Sequence, residues 1–577
     1  MDSYDVVISL LKNKNTLLKE IDPNGAILDS SLYKQIDKKI TNLDYIHSSS
    51  KPVQYVDKSV DSKGKCKVEP SIVYFDFETV TDLEKHVPYL CSALYSNDKV
   101  HTFFGNSCGL QFLSSLYKNT TVVVHNLGYD IGFLLKYLLN LMVIYKSTTK
   151  CIYTYGMFMN KGKKIQLTFI CSYAMTDTAL GKFSKTFKLK GIHKEILPYG
   201  AYNSETVKME CILISYAKSF LNKSDQEQFE KNIIAWDCVC EDPEFFLHIK
   251  YSQIYCEQDV KTTKAGYLSF RKSMKKITGL DIINYITNAS ISDAYLKKNG
   301  CYSGCVSLAG TPQIYHQRTV VGGRTMCNDN KMIHVKDVKI VPLDAKSLYP
   351  SAMYEMPGFL IGSPKVLESV NCNYEFLLKQ DGYFIEVDIT KINVKYKFSL
   401  LSEKNSDGIR VNSNDLLGVH YLNKYSLEDL IEFQKIEFTV VRGYYYNEGR
   451  NNKINSTIKG MYDERVKAKK DKDENGDPNP IQAVYKLLMN SSYGKSILKP
   501  IDTEIKIITD ERYNAFIAEN YNSIIEVNRI PDSKSRALKL IKPTNDHFNC
   551  PQVGSEILSV SKRIMNRVMC LSEDLGI

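Results

Sequence analysis

The sequence lacks the features that mark membrane, secreted and zinc-finger proteins. No apolar run approaches the roughly 20 residues of a membrane-spanning helix. The chain does not open on a basic stretch followed by an apolar one, so secretion is not expected. The fifteen cysteines are scattered, and the close pairs Cys238/Cys240 and Cys301/Cys305 lack the further ligands of a zinc finger. We therefore predict an intracellular protein with reduced cysteines and no membrane contact.

The bulk composition is that of a soluble globular protein with several domains. The 577 residues exceed what one hydrophobic core usually organises. Hydrophobic residues make up 43% and charged residues 24% of the chain. The net charge of +10 suits a polyanionic partner without proving one.

Acidic residues follow two strongly apolar stretches. A predicted strand beginning at Ser71 leads into Asp76 and Glu78, which share a face because side chains alternate along a strand. A second strand, 121–124, is followed by Asp130, and the apolar spacing from Ile131 to Leu141 predicts a helix. These stretches predict strand-end carboxylates of the kind that bind hard cations.

A third acidic segment lies in a region, 205–275, that we predict to be mostly helical. Tyr255 and Asp259 are four residues apart and so share one face of a helix. Carboxylates that share a site repel one another unless cations neutralise them, which predicts two divalent metal ions. Such ions would activate a water for attack on a phosphodiester, and Tyr255 could orient that water. Each acidic residue alone is more often a solvated surface group, but the ordered combination favours a nuclease centre.

A second chemical centre is predicted around Asp344 and Tyr349. An apolar strand, Ile340–Leu343, delivers the carboxylate, and the turn that follows exposes backbone amides that can cradle phosphates. Tyr349 then places an aromatic ring beside them. The alternative is a buried strand that ends in an ordinary Asx-type turn.

A helical hairpin is predicted after residue 450. Its first helix, 455–470, carries two cations, and the polar segment 471–480 cannot continue a helix. On the second helix Lys486, Asn490 and Tyr493 fall on one face. A cation, an amide and a ring in one stripe suit a triphosphate, a sugar and a base pair, whereas the alternative is an ordinary solvated hairpin.

Together these segments resemble the motifs of family B DNA polymerases, in particular the protein-primed subgroup of viruses and linear plasmids. Asp-x-Glu, Asn-x-x-Tyr-Asp and Tyr-x-x-x-Asp resemble the three motifs of the DEDD 3′–5′ exonuclease domain. The stretch Asp344–Pro350 resembles polymerase motif A, and Lys486–Gly494 resembles motif B. The resemblance implies an α/β multidomain fold with an RNase H-like exonuclease domain, and two Mg²⁺ or Mn²⁺ ions per active site. It also implies primer-template DNA, dNTPs and a terminal priming protein as partners.

The resemblance also implies roles for individual residues. The metal ligands would be Asp76, Glu78, Asp130, Asp259 and Asp344, with Tyr255 as a further catalytic residue. The nucleotide would contact Ser347, Leu348, Tyr349, Arg465, Lys469, Lys486, Asn490 and Tyr493. DNA would contact Asn126, Tyr129, Lys194, Gly322, Gly323, Arg324 and Gly494.

The motifs predict a domain order along the chain. An N-terminal extension (1–68) precedes the exonuclease domain (69–275) and a connector (276–335). The remainder is predicted as palm with motif A (336–355), an insertion resembling a terminal-protein region (356–450), fingers with motif B (451–500) and palm (501–577).

The sequence does not contain the motif C of this family, Tyr-x-Asp-Thr-Asp, after motif B. Residues 554–577 are predicted as the helix that leads into it, so the palm is expected to be incomplete and the thumb missing. A missing C-terminus or a second polypeptide would then supply motif C. Three functions stay open: a DNA polymerase with proofreading in the host cell of a virus or linear plasmid, a 3′–5′ exonuclease alone, or an inactive DNA-binding remnant. The intact acidic residues argue against the last.

Overall fold

The computed structural model describes residues 49–147, 150–326, 332, 334, 336, 344–404, 410–414, 416–498, 503–529, 534–541 and 548–576. Within these ranges no helix is both long and apolar enough to cross a membrane. Two sequence predictions lie outside them, namely the strand Ile340–Leu343 and residues 1–48 of the extension.

Twenty-two strands and sixteen α-helices occur in the described residues. The strands are β1 Ser49–Pro52, β2 Ser71–Val80, β3 Val87–Leu94, β4 Val100–Phe104, β5 Thr120–Val124, β6 Leu139–Ser147, β7 Lys150–Asn160, β8 Lys163–Cys171, β9 Ile212–Leu213, β10 Phe245–Phe246, β11 Val306–Ala309, β12 Phe359–Leu360, β13 Lys365–Val366, β14 Gly382–Lys391, β15 Leu401–Lys404, β16 Arg410–Ser413, β17 Gly418–Asn423, β18 Glu437–Tyr446, β19 Arg450–Asn451, β20 Thr503–Thr509, β21 Ile524–Arg529 and β22 Ser535–Ile541. The helices are α1 Cys108–Ser115, α2 Leu127–Leu134, α3 Ser172–Thr176, α4 Phe183–Phe187, α5 Ile214–Lys218, α6 Lys223–Ala235, α7 His248–Thr278, α8 Asn288–Lys298, α9 Gly310–Arg318, α10 Leu348–Glu355, α11 Tyr374–Leu378, α12 Lys424–Asp429, α13 Lys453–Lys470, α14 Ile481–Ser491, α15 Asp510–Asn520 and α16 Pro551–Asp574.

These elements form two compact units. Of the described residues, those within 56–295 and 461–489 form the first unit, and those within 49–55, 296–460 and 490–576 form the second. The chain therefore passes between the units after Tyr55, within α8, and within both helices of the hairpin, α13 and α14.

The first unit is built on a seven-stranded mixed sheet with the order β4-β3-β2-β5-β8-β7-β6. Strands β2, β5 and β8 are parallel, and the other neighbours are antiparallel. All five residues of β5 are buried, as expected for a parallel strand that is covered on both faces. Along β2, Phe75 and Phe77 join one hydrophobic core with α1 and α2. The intervening residues face α7, so the predicted alternation of Asp76 and Glu78 is confirmed.

The predicted helix from Ile131 to Leu141 is wrong in its bounds. The helix α2 begins at Leu127, directly after Asn126, which has a left-handed backbone with φ of 66°. After a 3-10 turn at Leu135–Tyr137, the chain enters β6, which pairs with β7. Sheet pairing therefore overrides the helical spacing of the apolar residues between 138 and 141.

The cysteines are not all reduced. Cys211 and Cys240 are joined by a disulfide, which lies next to the short antiparallel pair of β9 and β10. The two cysteines are 29 residues apart, so Cys240 is bonded to Cys211 and not to Cys238, its neighbour in the close pair that the sequence showed. The prediction of reduced cysteines throughout is thus wrong for this pair.

The second unit contains a four-stranded antiparallel sheet, β13-β18-β14-β17. The long helix α16 packs against α10, α12 and α9. More than half of its 24 residues are buried, including the polar Ser555, Glu556 and Ser559. The C-terminal helix expected from the sequence is therefore present, and it is an interior element of this unit. A separate three-stranded sheet, β20-β22-β21, packs against α15.

The helical hairpin is confirmed, with one correction. Helices α13 and α14 are joined by the loop 471–480, as the sequence predicts. However, α14 ends at Ser491, so Tyr493 and Gly494 lie in the turns that follow. Asn490, Ser491 and Ser492 have side chains that compete for backbone hydrogen bonds, which favours a helix end here.

Candidate active site

Four carboxylates of the first unit lie close together between the sheet and α7. Asp76 and Glu78 come from β2, Asp130 from α2, and Asp259 from α7. Asp130 is 3% exposed and Asp259 is 2% exposed. The backbone N–H of Phe77 donates to Asp130 Oδ1 over 3.2 Å, which ties α2 to the strand. The three acidic segments that are far apart in the sequence thus meet at one place.

Burial and mutual repulsion make these carboxylates hard to ionise. Burial, followed by the charges of the other three carboxylates, raises the pKa of Asp76 well above its usual value. Burial also raises the pKa of Glu78, and the charge of Asp259 adds to the effect. Burial raises the pKa of Asp130 to about 7. A divalent cation would offset this repulsion, because it stabilises the charged form of every carboxylate near it.

The donor set fits such a cation. Asp259 Oδ1 is buried and accepts no hydrogen bond from any described residue. An orphaned buried carboxylate oxygen is costly, and cation binding would remove that cost. Carboxylate oxygens are also the ligands that Mg²⁺ and Mn²⁺ prefer. Asp76, Glu78, Asp130 and Asp259 would hold the metal.

Lys194 and two tyrosines border the carboxylate cluster. Lys194 Nζ lies 2.5 Å from Asp259 Oδ2 and 2.5 Å from the Tyr255 hydroxyl, so it donates to both. The hydroxyl of Tyr199 lies 2.6 Å from that of Tyr255. Burial opposes the charge on Lys194, but the charges of Asp259, Tyr199 and Asp76 and the hydrogen bond to Asp259 together outweigh it and raise the pKa of the ammonium. Tyr199 was missed in the sequence, because it is 56 residues from Tyr255 and no helical or strand period relates the two.

Tyr129 and Asn126 lie at the exposed side of α2. Tyr129 is 40% exposed, and its hydroxyl bonds with Thr79 Oγ1 over 2.5 Å and His86 Nδ1 over 2.7 Å. Phe133 packs edge-on against its ring, 5.4 Å between centroids. The ring is therefore held in place while part of it stays accessible. His86 carried no signal in the sequence.

In the second unit the predicted motif A and motif B meet through their aromatic rings. Asp344 is exposed, and Ser347 has a left-handed backbone with φ of 51° directly before α10. The rings of Tyr349, on α10, and Tyr493 lie 4.5 Å apart with their planes at 31°. Burial and the adjacent Tyr349 raise the pKa of Tyr493 to about 12. A side chain placed at Gly323 would lie 3.7 Å from the Tyr349 hydroxyl oxygen, so the Gly-Gly segment borders the same place.

Arg324 holds this Gly-Gly segment in position. Its Nη1 donates to the carbonyl oxygens of Ser399 and Leu400, over 2.6 and 2.9 Å, and its Nη2 donates to Asn566 Oδ1. Burial lowers the pKa of its guanidinium. Its contacts are therefore with protein carbonyl and amide groups, and the DNA contact expected of it stays a prediction.

Two cations that the sequence analysis missed flank the segment. Arg410 Nη1 donates to the carbonyl oxygen of Gly323, and Lys562 Nζ donates to that of Val321 over 3.1 Å. Burial, followed by the charges of Arg324 and Arg410, lowers the pKa of Lys562 to about 8. A Cβ at Gly322 would lie only 2.8 Å from Arg410 Nη2, so a larger residue there would displace the end of this flexible side chain.

The predicted nucleotide residues of the hairpin divide between the units. Lys486 belongs to the first unit and Asn490 to the second, and both are exposed on α14, whose Val484 and Leu488 are buried. Arg465 is half-buried and Lys469 exposed on the first-unit part of α13.

The loop of the hairpin is bound to the sheet-bearing part of the first unit. Lys188 Nζ donates to Asp473 Oδ2 over 2.6 Å and to the carbonyl oxygen of Asp477 over 2.8 Å. Within the loop, Asp473 Oδ1 accepts from the backbone N–H groups of Asn475 and Asp477. Asp473 thus orders the loop through its Oδ1 and anchors the loop to Lys188 through its Oδ2.

Comparisons with known proteins identify the fold. The fold matches that of Phi29 DNA polymerase in complex with primer-template DNA and incoming nucleotide, with a TM-score of 0.58 at 16% identity over 88% of this chain and 79% of that one. The chain thus has the multidomain fold of a family B polymerase.

Relatives by sequence carry the same name. The chain is 24% identical to a probable DNA polymerase of Ascobolus immersus, over 98% of this chain and 48% of that protein. It is 25% identical to one of Neurospora intermedia, over 62% of this chain and 36% of that protein. A DNA polymerase of Streptococcus phage Cp-1 is 23% identical over 76% of this chain and 71% of the phage protein. The chain thus spans about half or less of the fungal proteins.

A family model settles the assignment. The model described as DNA polymerase type B, organellar and viral, matches residues 113–568, which include the second and third acidic segments and the segments predicted as motifs A and B. The chain belongs to the organellar and viral family of type B DNA polymerases.

Proposed function

We propose that this chain acts in DNA synthesis as a DNA-directed DNA polymerase with a 3′–5′ proofreading exonuclease. The observation that carries the exonuclease is the cluster of four buried, mutually repelling carboxylates beside Lys194 and Tyr255. The polymerase is supported by the family and by the meeting of Tyr349 with Tyr493.

In the exonuclease reaction the chain's own residues bind and orient the 3′ end. The exposed ring of Tyr129, fixed by Thr79 and His86, offers a stacking platform for the terminal base. Two Mg²⁺ or Mn²⁺ ions held by the carboxylates would lower the pKa of the attacking water and neutralise charge on the phosphate. Tyr255, whose hydroxyl is held between Lys194 and Tyr199, orients that water.

The experiment for the exonuclease uses the full chain, Mg²⁺ and a 5′-labelled single-stranded DNA. The wild type should shorten the strand from its 3′ end, and Asp130→Ala should reduce the rate by at least about a hundredfold. Asp98→Ala is the matched control, since it removes an exposed carboxylate of the same unit that pairs with Lys264. An undiminished rate in Asp130→Ala would refute the assignment.

In the polymerase reaction a primer 3′-hydroxyl would attack the α-phosphate of a dNTP, and pyrophosphate would leave. Asp344 would hold the metal and Lys486 the triphosphate, while Tyr349 would pack under the sugar and exclude a 2′-hydroxyl. This chemistry also needs a second carboxylate. The sequence after Gly494 has no Tyr-x-Asp-Thr-Asp segment, so this part of the chain offers no candidate for that second carboxylate.

Nucleotide binding and primer extension test this part separately. Lys486→Ala should weaken dNTP binding by the chain about tenfold or more, as measured by fluorescence with a labelled dNTP, because it removes a charge-assisted contact. Lys470→Ala, an exposed lysine on α13, is the control. Primer extension is then compared between the chain alone and the chain joined to the coding sequence that follows codon 577. Extension by neither would contradict the polymerase proposal.

A 3′–5′ exonuclease without polymerase activity is the second candidate. It is favoured by the complete set of exonuclease carboxylates beside the single carboxylate of motif A. Strand shortening without primer extension in either form would select it. The priming protein, and replication of a viral or linear-plasmid genome inside a host cell, remain proposals from the family resemblance.

A further inference from the structure

Cys256 lies inside the carboxylate cluster. It follows Tyr255 on α7 and lies three residues before Asp259, so it shares the helix face that packs on β2. Its side chain is fully buried. Its Sγ and one carboxylate oxygen from each of Asp76 and Glu78 all lie within 4.8 Å of one another. The thiol also donates to the backbone carbonyl oxygen of Asp76 over 3.6 Å.

A sulfur donor changes which cations the cluster can bind. Mg²⁺ takes oxygen ligands and gains little from a thiol, whereas Zn²⁺ and Cd²⁺ bind thiolate sulfur together with carboxylate oxygen. Asp259 interacts electrostatically with Asp76, Glu78 and Cys256, and its buried Oδ1 accepts no hydrogen bond from a described residue. The cluster therefore contains a mixed sulfur and oxygen donor set as well as an all-oxygen one.

We propose that Asp76, Glu78 and Cys256 form a binding site for a thiophilic divalent cation such as Zn²⁺, which competes with Mg²⁺ at the exonuclease centre. The inference rests on the proposed exonuclease, because two of the three ligands are shared with it. When Zn²⁺ binds, a Zn–S bond forms and the thiol proton passes to solvent, as is general for cysteine ligands. Micromolar Zn²⁺ then inhibits strand shortening by occupying carboxylates that Mg²⁺ needs.

X-ray absorption at the zinc edge reads the ligands directly. The full chain is loaded with one equivalent of Zn²⁺, and the wild type should show one sulfur at about 2.3 Å together with oxygen ligands. Cys256→Ser should show oxygen or nitrogen only and bind Zn²⁺ at least about tenfold more weakly in a competition titration. Cys151→Ser is the matched control, because Cys151 is buried in the same sheet and bonds with Thr154 outside the cluster. It should keep the wild-type spectrum.

Two spectroscopic results would overturn the proposed zinc site. A wild-type spectrum without sulfur, or a sulfur signal that persists in Cys256→Ser, overturns the proposal. If the serine variant unfolds, Cys256→Ala provides a second test with the same expected loss of sulfur. Mg²⁺-dependent strand shortening is measured independently. If the strand is not shortened but the sulfur ligand is seen, the exonuclease proposal has failed. If the strand is shortened but no sulfur ligand is seen, the zinc-site proposal has failed.

Discussion

At the scale of single residues, the carboxylates of the first unit show how burial and charge together shape a site. Each would be an ordinary surface acid elsewhere, but their pKa values are raised because they are buried next to one another. The folded protein therefore holds protons that the unfolded chain releases. This difference couples the stability of the fold to pH and to the metal.

We predict that Asp130 lowers the stability of the metal-free protein at neutral pH. Its folded pKa of about 7 lies above its unfolded value of 3.8. The folded protein keeps its full free energy of unfolding, as far as Asp130 is concerned, below about pH 4. Part of that free energy is lost between pH 4 and 7 as the buried side chain is forced to ionise, and the loss is complete above pH 7. Urea unfolding with EDTA should accordingly show that Asp130→Asn stabilises the protein more at pH 8 than at pH 5.

Adding Mg²⁺ should remove the destabilisation that the ionised Asp130 causes at high pH. Because Mg²⁺ binds the charged carboxylates, it should raise the free energy of unfolding of the wild type more at pH 8 than at pH 5. Asp130→Asn should lose most of that gain. Equal effects of Mg²⁺ at both pH values would show that these carboxylates do not bind it.

At the scale of elements, α7 depends on close packing at one glycine. A Cβ on Gly266 would lie 2.0 Å from a ring carbon of Phe183 on α4. We predict that Gly266→Ala lowers the free energy of unfolding by about 1–3 kcal/mol, as overpacked cores do. Gly132→Ala on α2 is the control, because nothing lies within 4 Å of its added methyl group. It should be neutral or stabilising by up to about 1 kcal/mol, and urea unfolding measures both.

A buried ion pair holds α16 to β19 in the second unit. Arg450 donates twice to Glu556, each time over 2.8 Å, and the side chains are 9% and 1% exposed. We predict that Glu556→Leu costs about 3–5 kcal/mol of unfolding free energy, because it leaves a buried guanidinium without its counter-ion.

The double replacement Arg450→Met/Glu556→Leu is the informative control. It should recover part of the loss, since no charge then remains buried. Recovery is expected to be incomplete, because Arg450 also donates to the carbonyl oxygens of Gly358 and Asp381. A double variant as unstable as the single one would show that packing, not charge, dominates this contact.

At the scale of the whole molecule, Lys188 joins the hairpin loop to the end of α4, two parts of the first unit that are far apart in the sequence. We predict that Lys188→Met changes the free energy of unfolding by less than about 1 kcal/mol, as is usual for exposed ion pairs. It should nevertheless speed amide hydrogen exchange in the loop 471–480, because Asp473 Oδ2 and the carbonyl of Asp477 lose their anchor. Mass spectrometry of that peptide measures the effect. Lys185→Met, which replaces an exposed lysine on α4, the helix that ends directly before Lys188, should leave the exchange unchanged.

Local periods explain what the sequence could predict, and long-range contacts explain what it could not. Alternation placed Asp76 with Glu78, and helical spacing placed Tyr255 with Asp259. The strand β6 was missed because its pairing with β7 overrides its own apolar spacing. Tyr199, Arg410 and Lys562 were missed because each meets its partners across the fold. Most of the acidic site was therefore visible in the sequence. Tyr199 beside that site, and the cations Arg410 and Lys562 beside the Gly-Gly segment, were not.

The left-handed residues Asn126 and Ser347 have a consequence for how this family changes over time. Each lies directly before the helix that carries a predicted site residue, Tyr129 on α2 and Tyr349 on α10. Glycine, asparagine and a few other small residues adopt this conformation at low cost, and β-branched residues do not. Natural selection for the fold alone therefore restricts substitution at both positions. A lineage that had abandoned DNA chemistry would still keep them, so their constancy among descendants would record inherited architecture rather than retained activity.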